Sequence, residues 1–375
     1  MKNIDQNVIY LGWVSFFTDM SSNMITTLLP IFVIYVLNEG VDKLGVIIAI
    51  STFISYAFRI IFGYLSDRYQ IVKPFVVTGY FISAVSKPLL AFSNTFISVA
   101  VLRGVERMGK AIRSASKDAL ISDYVKNGAH GKTFGFHKMM DIAGELSGAF
   151  IIFLIFMFIA KDEHSIRGIF ELTIIPGLIA TFIALFLVKD APKRVKKDES
   201  VINKEDYKFL PILAIYFVFI FFIMSDQFFI LKAKMDGYSL SIIPLFVMTL
   251  TAIQTISSYF SGFLSDKIGV TRTLLLSFIF GILSVSMMEI NLWAAFSFLG
   301  LFTIFSLNAV RSYISGYANS KGFVFGIFYG GVAIFSAIGA LVMGYVWKLY
   351  GFESAMLLSE VGMSLMFFVL LLKRA

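Results

Sequence analysis

The stretch Gly63–Lys73, which reads GYLSDRYQIVK, lies between two long apolar segments, and a second copy, GFLSDKIGVTR, occupies Gly262–Arg272. The aspartates of the two copies, Asp67 and Asp266, are 199 residues apart. A charged turn that recurs at half the chain length predicts two homologous halves, each carrying the turn at the same place in its own bundle of helices.

Two shorter matches support the repeat. The sequence AIRS at 111–114 corresponds to AVRS at 309–312, with an offset of 198 residues. The pair Phe-Gly at 134–135 and Gly148 correspond to Phe-Gly at 325–326 and Gly339, with an offset of 191 residues. Matches in the same order at nearly the same offset favour an internal duplication.

The composition indicates a polytopic membrane protein. Of 375 residues, 58% are hydrophobic and 15% are charged, whereas a soluble domain carries roughly 25% charged residues. The absence of Cys excludes disulfides and thiolate metal sites. The net charge of +8 is better explained by basic loops that face anionic lipid than by binding to nucleic acid.

Apolar runs of about 20 residues predict twelve membrane-spanning helices. Helices are the only solution for such runs, because backbone groups in lipid must bond within their own segment. The predicted spans are 8–37, 43–65, 74–93, 96–122, 132–160, 168–189, 208–231, 240–265, 273–291, 293–317, 321–349 and 353–372. We expect an all-α protein with an N-terminal six-helix bundle at 1–189, a linker at 190–207 and a C-terminal six-helix bundle at 208–375.

The distribution of Lys and Arg predicts the orientation. Basic residues concentrate in one set of loops and in the linker KDAPKRVKKDESVINKED, whereas the opposite loops are mixed in charge. Cytoplasmic loops carry the excess of Lys and Arg in membrane proteins. We therefore expect a multi-pass protein of the cell membrane with both termini in the cytoplasm.

The paired turns resemble the signature loop of the major facilitator superfamily of transporters, here of the prokaryotic type. In that family the loop joins the second and third helices of each half on the cytoplasmic side. The resemblance implies a monomer of two six-helix bundles, related by a pseudo-two-fold axis along the membrane normal, with the solute site between them near the midplane. The first copy departs from the family pattern, because it has Gln70 and only Lys73 after the Asp-Arg pair.

The same resemblance implies a cytoplasmic gate. Asp67 and Asp266 would form ion pairs that stabilise one state of the transporter and break when the halves move. Arg113 and Arg311 lie near the cytoplasmic ends of predicted helices 4 and 10 and are natural partners for them. The predicted gate residues are Gly63, Asp67, Arg68, Arg113, Gly262, Asp266, Lys267 and Arg311.

Ionisable residues inside predicted spans are costly in lipid and therefore informative. At a rise of about 1.5 Å per residue, Asp19 lies roughly 16 Å deep in helix 1. By the same measure, the charges of helix 4 lie at about 10–17 Å and the carboxylates of helix 5 at about 14–20 Å. The predicted substrate and proton-coupling residues are Asp19, Arg103, Glu106, Arg107, Asp141, Glu145 and Asp226.

Spacing predicts which of these residues share a face. Asp141 and Glu145 are four residues apart, and His137 extends their stripe by one turn. Arg103 and Arg107 share another face, from which a guanidinium could hold an anionic solute while one carboxylate titrates. The alternative is that these charges only neutralise one another and hold helices 1, 4 and 5 together.

Helix 5 also contains a partial match to a motif of drug–proton antiporters. The family run G-P-x-x-G-G aligns with GELSGA at 144–149, where Glu145 replaces the proline. Gly144 and Gly148 form a small-xxx-small pair, which favours close approach of another helix over solute binding.

The sequence thus predicts a secondary active transporter for a small organic solute, anionic or amphipathic, that works by alternating access in the lipid bilayer. The proton is the expected coupling ion, and neither a cofactor nor a metal is expected. An exporter of drugs or lipids with the same fold is one alternative. A transporter-like sensor or an intramembrane enzyme is another, although we find no soluble extension, nucleophile–base pair or P-loop that would favour it.

Overall fold

The computed structural model describes residues 4–69, 72–125, 130–159, 162–190, 204–317 and 321–373. Inside these ranges, the side chains of residues 60, 64, 67, 68, 115, 119, 130–132, 204–206, 259, 266, 315–317 and 321–323 are not described. Every regular element in the described ranges is a helix.

Fourteen α-helices make up most of this part of the chain. They are α1 (Gln6–Ile31), α2 (Val41–Tyr69), α3 (Lys73–Leu89), α4 (Phe96–Asp123), α5 (His130–Phe158), α6 (Ile166–Leu172), α7 (Ile174–Phe182), α8 (Leu210–Phe222), α9 (Asp226–Met235), α10 (Ile243–Ile268), α11 (Val270–Ser286), α12 (Leu292–Tyr317), α13 (Lys321–Tyr350) and α14 (Phe352–Leu372). Short π-helical segments continue α1 at Phe32–Val36 and α7 at Ile183–Leu187.

These helices form twelve spans. Among the described residues, nine helical stretches are long and apolar enough to cross a membrane, and two shorter apolar helices lie at Ile243–Ser258 and Val270–Ser286. The stretch Glu163–Leu187 joins α6 and α7 into one span, and Tyr207–Met235 joins α8 and α9. The twelfth span is α4, which is as long as the others but carries many charged side chains.

The chain folds as two compact units. One comprises Met1–Glu39 and Ile50–Lys197, and the other comprises Gly40–Ala49 and Asp198–Ala375. The start of α2 therefore belongs to the second unit, where Asp42 forms an ion pair with Lys348 of α13 at 3.1 Å. Most of the linker predicted at 190–207 lies outside the described residues, so its boundaries stay predictions.

Local sequence determines where several helices begin. The Asp5 side chain accepts a hydrogen bond from the backbone N–H of Asn7 at the start of α1, and Thr95 forms a capping box with Ser98 at the start of α4. Such side chains satisfy backbone N–H groups that have no partner within the helix. Gly269 separates α10 from α11 with a φ of 87°, a left-handed conformation that favours glycine.

The two copies of the charged motif are helical. We predicted a turn, but α2 continues to Tyr69 and α10 to Ile268. Gly63 and Gly262 thus lie inside helices, about two turns before their ends. The reason is local: in the second copy the chain reverses only at Gly269, and the preceding residues contain neither proline nor a residue with positive φ.

The seventh span is broken. We predicted one continuous helix over 208–231, but α8 ends at Phe222 and α9 begins at Asp226. Ser225 lies in an extended conformation between them, and its Oγ accepts a hydrogen bond from the backbone N–H of Gln227. The serine cap therefore starts a new helix within the span.

Glycines bring α1 and α5 into backbone contact. A Cβ atom at Gly144 would lie 2.3 Å from the carbonyl oxygen of Phe16, and one at Gly148 would lie 2.4 Å from that of Met20. The predicted close approach at this glycine pair is confirmed. Gly339 of α13 plays the same role in the second unit, because its Cβ would lie 2.2 Å from the carbonyl oxygen of Phe221 in α8.

We predict that Gly144→Ala destabilises the protein by about 1–3 kcal/mol, because the added methyl group has no space against the α1 backbone. The measurement is thermal melting of the purified variant in detergent micelles. Gly135→Ala, in the same helix, is the matched control, since nothing lies within 4 Å of its Cβ position. A Gly144→Ala variant that melts with or above the control would contradict the packing described here.

Candidate functional site

The fully buried charges of the first unit centre on one carboxylate of α4. Arg103 Nη1 lies 2.8 Å from Glu106 Oε2, and Arg107 Nε lies 3.2 Å from the same oxygen. The side chains of Arg103 and Glu106 are both 0% exposed, and that of Arg107 is 14% exposed. The carboxylate pairs with both guanidinium groups and supplies the counter-ion that a buried charge requires, and the three side chains keep one net positive charge.

A lysine of α3 joins this buried cluster. The Lys87 ammonium donates to the carbonyl oxygen of Thr18 at 3.1 Å and to Ser21 Oγ at 2.6 Å, and it is fully buried. Glu106 and Asp19 are the carboxylates that interact with it electrostatically. We did not select Lys87 from the sequence, although its position inside the apolar run 74–93 meets the criterion used for the other intramembrane charges.

A second group of charges lies where α1, α4 and α5 face one another. Glu145 interacts electrostatically with Asp19, Lys138, Lys110 and Asp141. Lys110 is an exposed residue, and Arg107 of its own helix, Asp19 of α1 and Glu106 act on it electrostatically. Lys110 thus differs from the fully buried Arg103, because its residue is exposed and carboxylates of α1, α4 and α5 act on its charge. We call the group formed by Asp19, Lys110, Asp141 and Glu145 the polar crevice of this unit.

Hydrogen bonds connect four helices next to this crevice. Ser15 Oγ of α1 lies 3.2 Å from Lys117 Nζ, 3.0 Å from His137 Nε2 and 3.4 Å from the Tyr80 hydroxyl. On its other side, His137 Nδ1 lies 3.4 Å from Asp141 Oδ1. Neither Ser15 nor Lys117 was selected from the sequence, because a serine in a span is common and Lys117 lies close to the end of α4.

The structure thus brings together six of the seven predicted coupling residues, but in two sets. Arg103, Glu106 and Arg107 form a buried ion-pair cluster that ties α4 to its neighbours. Asp19, Asp141 and Glu145 line the crevice with Lys110. We expected arginines to face the solute, whereas the exposed cations that act on Glu145 are two lysines, Lys138 of α5 and Lys110 of α4.

The family model of the Major Facilitator Superfamily matches residues 11–328. The chain belongs to the Major Facilitator Superfamily. An uncharacterized MFS-type transporter of Methanocaldococcus jannaschii, MJ1317, is 30% identical over 366 residues, which cover 93% of this chain and 90% of that protein.

Solved structures of superfamily members share the fold. The nucleoside transporter NupG gives a TM-score of 0.81 at 13% identity, covering 98% of this chain and 99% of that one. A bacterial homologue of the human lysosomal transporter Spinster, in an inward-facing and occupied conformation, gives 0.76 at 13% identity, covering 97% and 95%. The protein is therefore a multi-pass membrane protein with the twelve-helix fold of solute transporters.

The superfamily gate is described only in part. The side chains of Asp67, Arg68 and Asp266 lie outside the described residues, so the latch stays a prediction. Lys267 is exposed near the end of α10. Arg311 is also exposed, and its Nη2 donates to the Tyr329 hydroxyl at 3.0 Å.

Arg113 has partners on α3. Its Nη1 donates to Ser83 Oγ at 2.6 Å and to the carbonyl oxygen of Gly79 at 3.3 Å, and its guanidinium lies 4.6 Å from the centroid of the Tyr80 ring. The side chain is buried. These contacts hold α4 against α3, where Gly79 and Gly109 allow the two backbones to meet.

The second unit is poorer in buried charge. Asp226 is the first residue of α9, is exposed, and accepts a hydrogen bond from Ser225 Oγ at 2.9 Å. A carboxylate in the first turn of a helix interacts favourably with the helix dipole. Asn308 of α12, another polar residue of this unit, donates to Ser261 Oγ at 2.7 Å and joins α12 to α10.

We predict that Glu106→Leu destabilises the protein by about 3–5 kcal/mol, because it leaves two buried guanidinium groups without their counter-ion. Thermal melting in detergent micelles provides the measurement. Asp118→Asn is the control: its pair with Arg59 has the same 2.8 Å separation, but the side chains are 46% and 30% exposed. We expect that change to cost less than about 1 kcal/mol. Similar losses in both variants would show that burial does not decide the strength of these pairs.

Proposed function

We propose that the protein is a secondary active transporter that carries a small organic anion together with a proton. The observation that carries this proposal is the crevice of the first unit, in which the exposed residue Lys110 interacts electrostatically with Asp19 and Glu145. Ionisable groups placed together within membrane spans mark solute and proton pathways. Fold and family support transport, and the crevice supports the class of solute.

The charge balance of α4 favours an anion. Basic residues recur along this helix at 103, 107, 110, 113 and 117, and they outnumber its acidic residues. Most of these cations are already engaged, by Glu106, by α3 or by Ser15. Lys110 is exposed, and an ammonium binds carboxylate or phosphate as a point charge.

Aromatic side chains of α1 favour a solute with an apolar or aromatic part. Trp13 is 43% exposed, and its ring stacks on that of Phe17 with 5.9 Å between centroids. The Phe16 ring lies edge-on to Trp13 at 5.5 Å, three residues before Asp19. A large exposed ring beside a charged crevice suits an amphipathic ligand.

The proposed coupling follows from competition for Lys110. Without solute, the ammonium of Lys110, together with Lys138, balances the carboxylates of Asp19 and Glu145. A solute anion that takes over the ammonium leaves these carboxylates close together, and one of them then takes up a proton because like charges at short distance cannot both stay ionised. Solute and proton are thus bound in the same state, and both are released when the transporter exposes the site to the other side.

Orientation and gating complete the proposal. The concentration of Lys and Arg in one set of loops supports cytoplasmic termini in a cell membrane. In the proposal, Asp67 and Asp266 act at the cytoplasmic ends of their own bundles, where their ion pairs would hold one state of the alternating-access cycle. The proton gradient supplies the driving force, and no cofactor is needed.

A binding and uptake panel tests the solute class. The probes are phenyl phosphate (an aromatic anion), glycerol 3-phosphate (an anion without a ring), uridine (a neutral nucleoside, as NupG is titled a nucleoside transporter) and choline (a cation). We expect phenyl phosphate to bind best and to accumulate in proteoliposomes only under an inwardly directed proton gradient. Uptake of choline in its place would favour the exporter alternative and overturn the proposal.

We predict that Lys110→Gln weakens phenyl phosphate binding about tenfold, because a hydrogen bond to a charged group contributes roughly 1.5–3 kcal/mol. Lys208→Gln removes an exposed ammonium outside the crevice and serves as the control. Calorimetric titration in detergent measures both variants. Equal affinities for the two would remove Lys110 from the site.

A separate prediction concerns the proton. Glu145→Gln keeps the shape of the side chain but cannot titrate, so we expect phenyl phosphate to bind nearly as before. Uptake by this variant should equilibrate the probe without accumulating it, whether or not a proton gradient is present. Gradient-driven accumulation that persists in Glu145→Gln would show that another group carries the proton.

A further inference from the structure

His137 occupies a buried position at the centre of charged and polar groups from four helices. Its side chain is 6% exposed. Ser15 and Asp19 face it from α1, Lys117 from α4, Lys138 and Asp141 from α5, and Tyr80 of α3 reaches it through Ser15. A histidine with contacts at both ring nitrogens has its tautomer set by those contacts.

The direction of each hydrogen bond follows from what each group can donate. The Lys117 ammonium is a donor only, so Ser15 Oγ accepts at 3.2 Å. The single hydroxyl hydrogen of Ser15 then points to His137 Nε2 at 3.0 Å, because the carboxylate of Asp141, which only accepts, faces the other ring nitrogen and calls for the hydrogen there. A ring that accepts at Nε2 carries its hydrogen on Nδ1.

That Nδ1 hydrogen has an acceptor in front of it. Asp141 Oδ1 lies 3.4 Å from His137 Nδ1. This oxygen is buried, and among the described residues it has no hydrogen-bond donor. A buried carboxylate oxygen without a donor is costly, so a small rotation that closes this contact is favourable.

We propose that His137 is a positioning residue for Asp141. Lys117 and Ser15 fix the imidazole ring, and its Nδ1–H holds the Asp141 carboxylate beside Glu145. The two carboxylates are four residues apart on one face of α5 and interact electrostatically. His137 would thus control where the Asp141 carboxylate lies relative to Glu145 when Glu145 binds the proton. This role rests on the proton coupling proposed above.

Nitrogen NMR of the imidazole rings tests the tautomer directly. The chain contains three histidines, so protein labelled with ¹⁵N in its histidine rings gives few signals. The protein is measured in nanodiscs of phosphatidylethanolamine and phosphatidylglycerol, and His137 is assigned by the signal lost in His137→Gln. We expect the Nδ1–H tautomer in the wild type and a mixture of tautomers in Ser15→Ala and Lys117→Met. An Nε2–H ring in the wild type, or an unchanged ring in both variants, would overturn the proposal.

Two amide substitutions test the role in transport. The amide of His137→Asn falls near Nδ1 and can still donate to Asp141, whereas that of His137→Gln falls near Nε2 and keeps only the contact with Ser15. We expect gradient-driven phenyl phosphate uptake to fall about tenfold more in His137→Gln than in His137→Asn, as for the loss of a hydrogen bond to a charged group. Equal uptake by the two variants would contradict the proposal.

The NMR measurement and the uptake measurement together distinguish a failure of this inference from a failure of the proposed function. If the wild type does not transport phenyl phosphate, the proposed solute class fails, whereas the tautomer measurement still decides the arrangement of His137. If transport is found but the ring carries Nε2–H, the proposed function stands and the positioning role is lost. Thermal melting of each variant establishes that it is folded before either measurement is interpreted.

Discussion

The first unit depends on one constraint, which is that its intramembrane charges must find partners inside the protein. Lipid offers neither counter-ions nor hydrogen bonds, so most charges of α4 pair with another helix or with one another. Glu106 satisfies two arginines, Arg113 bonds to α3, and Lys117 bonds to α1. The crevice around Lys110 is the exception, because there the cation remains accessible.

The two halves of the chain keep the same packing but differ in chemistry. Gly148 and Gly339 occupy matching positions of the repeat, and each meets a backbone carbonyl of the first helix of its own unit. Arg113 and Arg311 also correspond in sequence, yet the first is buried against α3 and the second is exposed beside Tyr329. The duplication thus preserved the helix contacts, while the buried charges remained or arose mainly in the first half.

Much of the architecture could be predicted from the sequence because lipid allows few solutions for long apolar runs. Eleven of the predicted spans correspond to continuous or nearly continuous helical stretches. The break between α8 and α9 could not be predicted from hydropathy, since the polar run Ser225–Gln227 lies between two strongly apolar stretches and the span as a whole stays apolar. It depends on a serine cap, which is a local signal that a window of about 20 residues averages away.

The sequence predicted which residues belong to the candidate site better than it predicted how their side chains are arranged. Depth along each helix brought Asp19, Asp141 and Glu145 to one level, but depth does not determine the direction in which a side chain points. For that reason the sequence could not separate the buried Arg103 from the accessible Lys110 on the same helix. The sequence places Lys87 inside an apolar run but does not show what stabilises its charge there. The structure shows that Thr18 and Ser21 of α1 accept its hydrogen bonds.

The glycine contact between α1 and α5 has a consequence for how the carboxylates behave during a transport cycle. With no side chain between the two backbones at Gly144 and Gly148, neither helix can slide or roll on the other without a steric clash. Asp19 and Glu145 lie within a turn of this contact, on helices that must travel as one body. The repulsion between Asp19 and Glu145 therefore keeps a constant strength, and so does the attraction of Lys138 on α5, whereas Lys110 lies on α4 and can change its distance from both carboxylates.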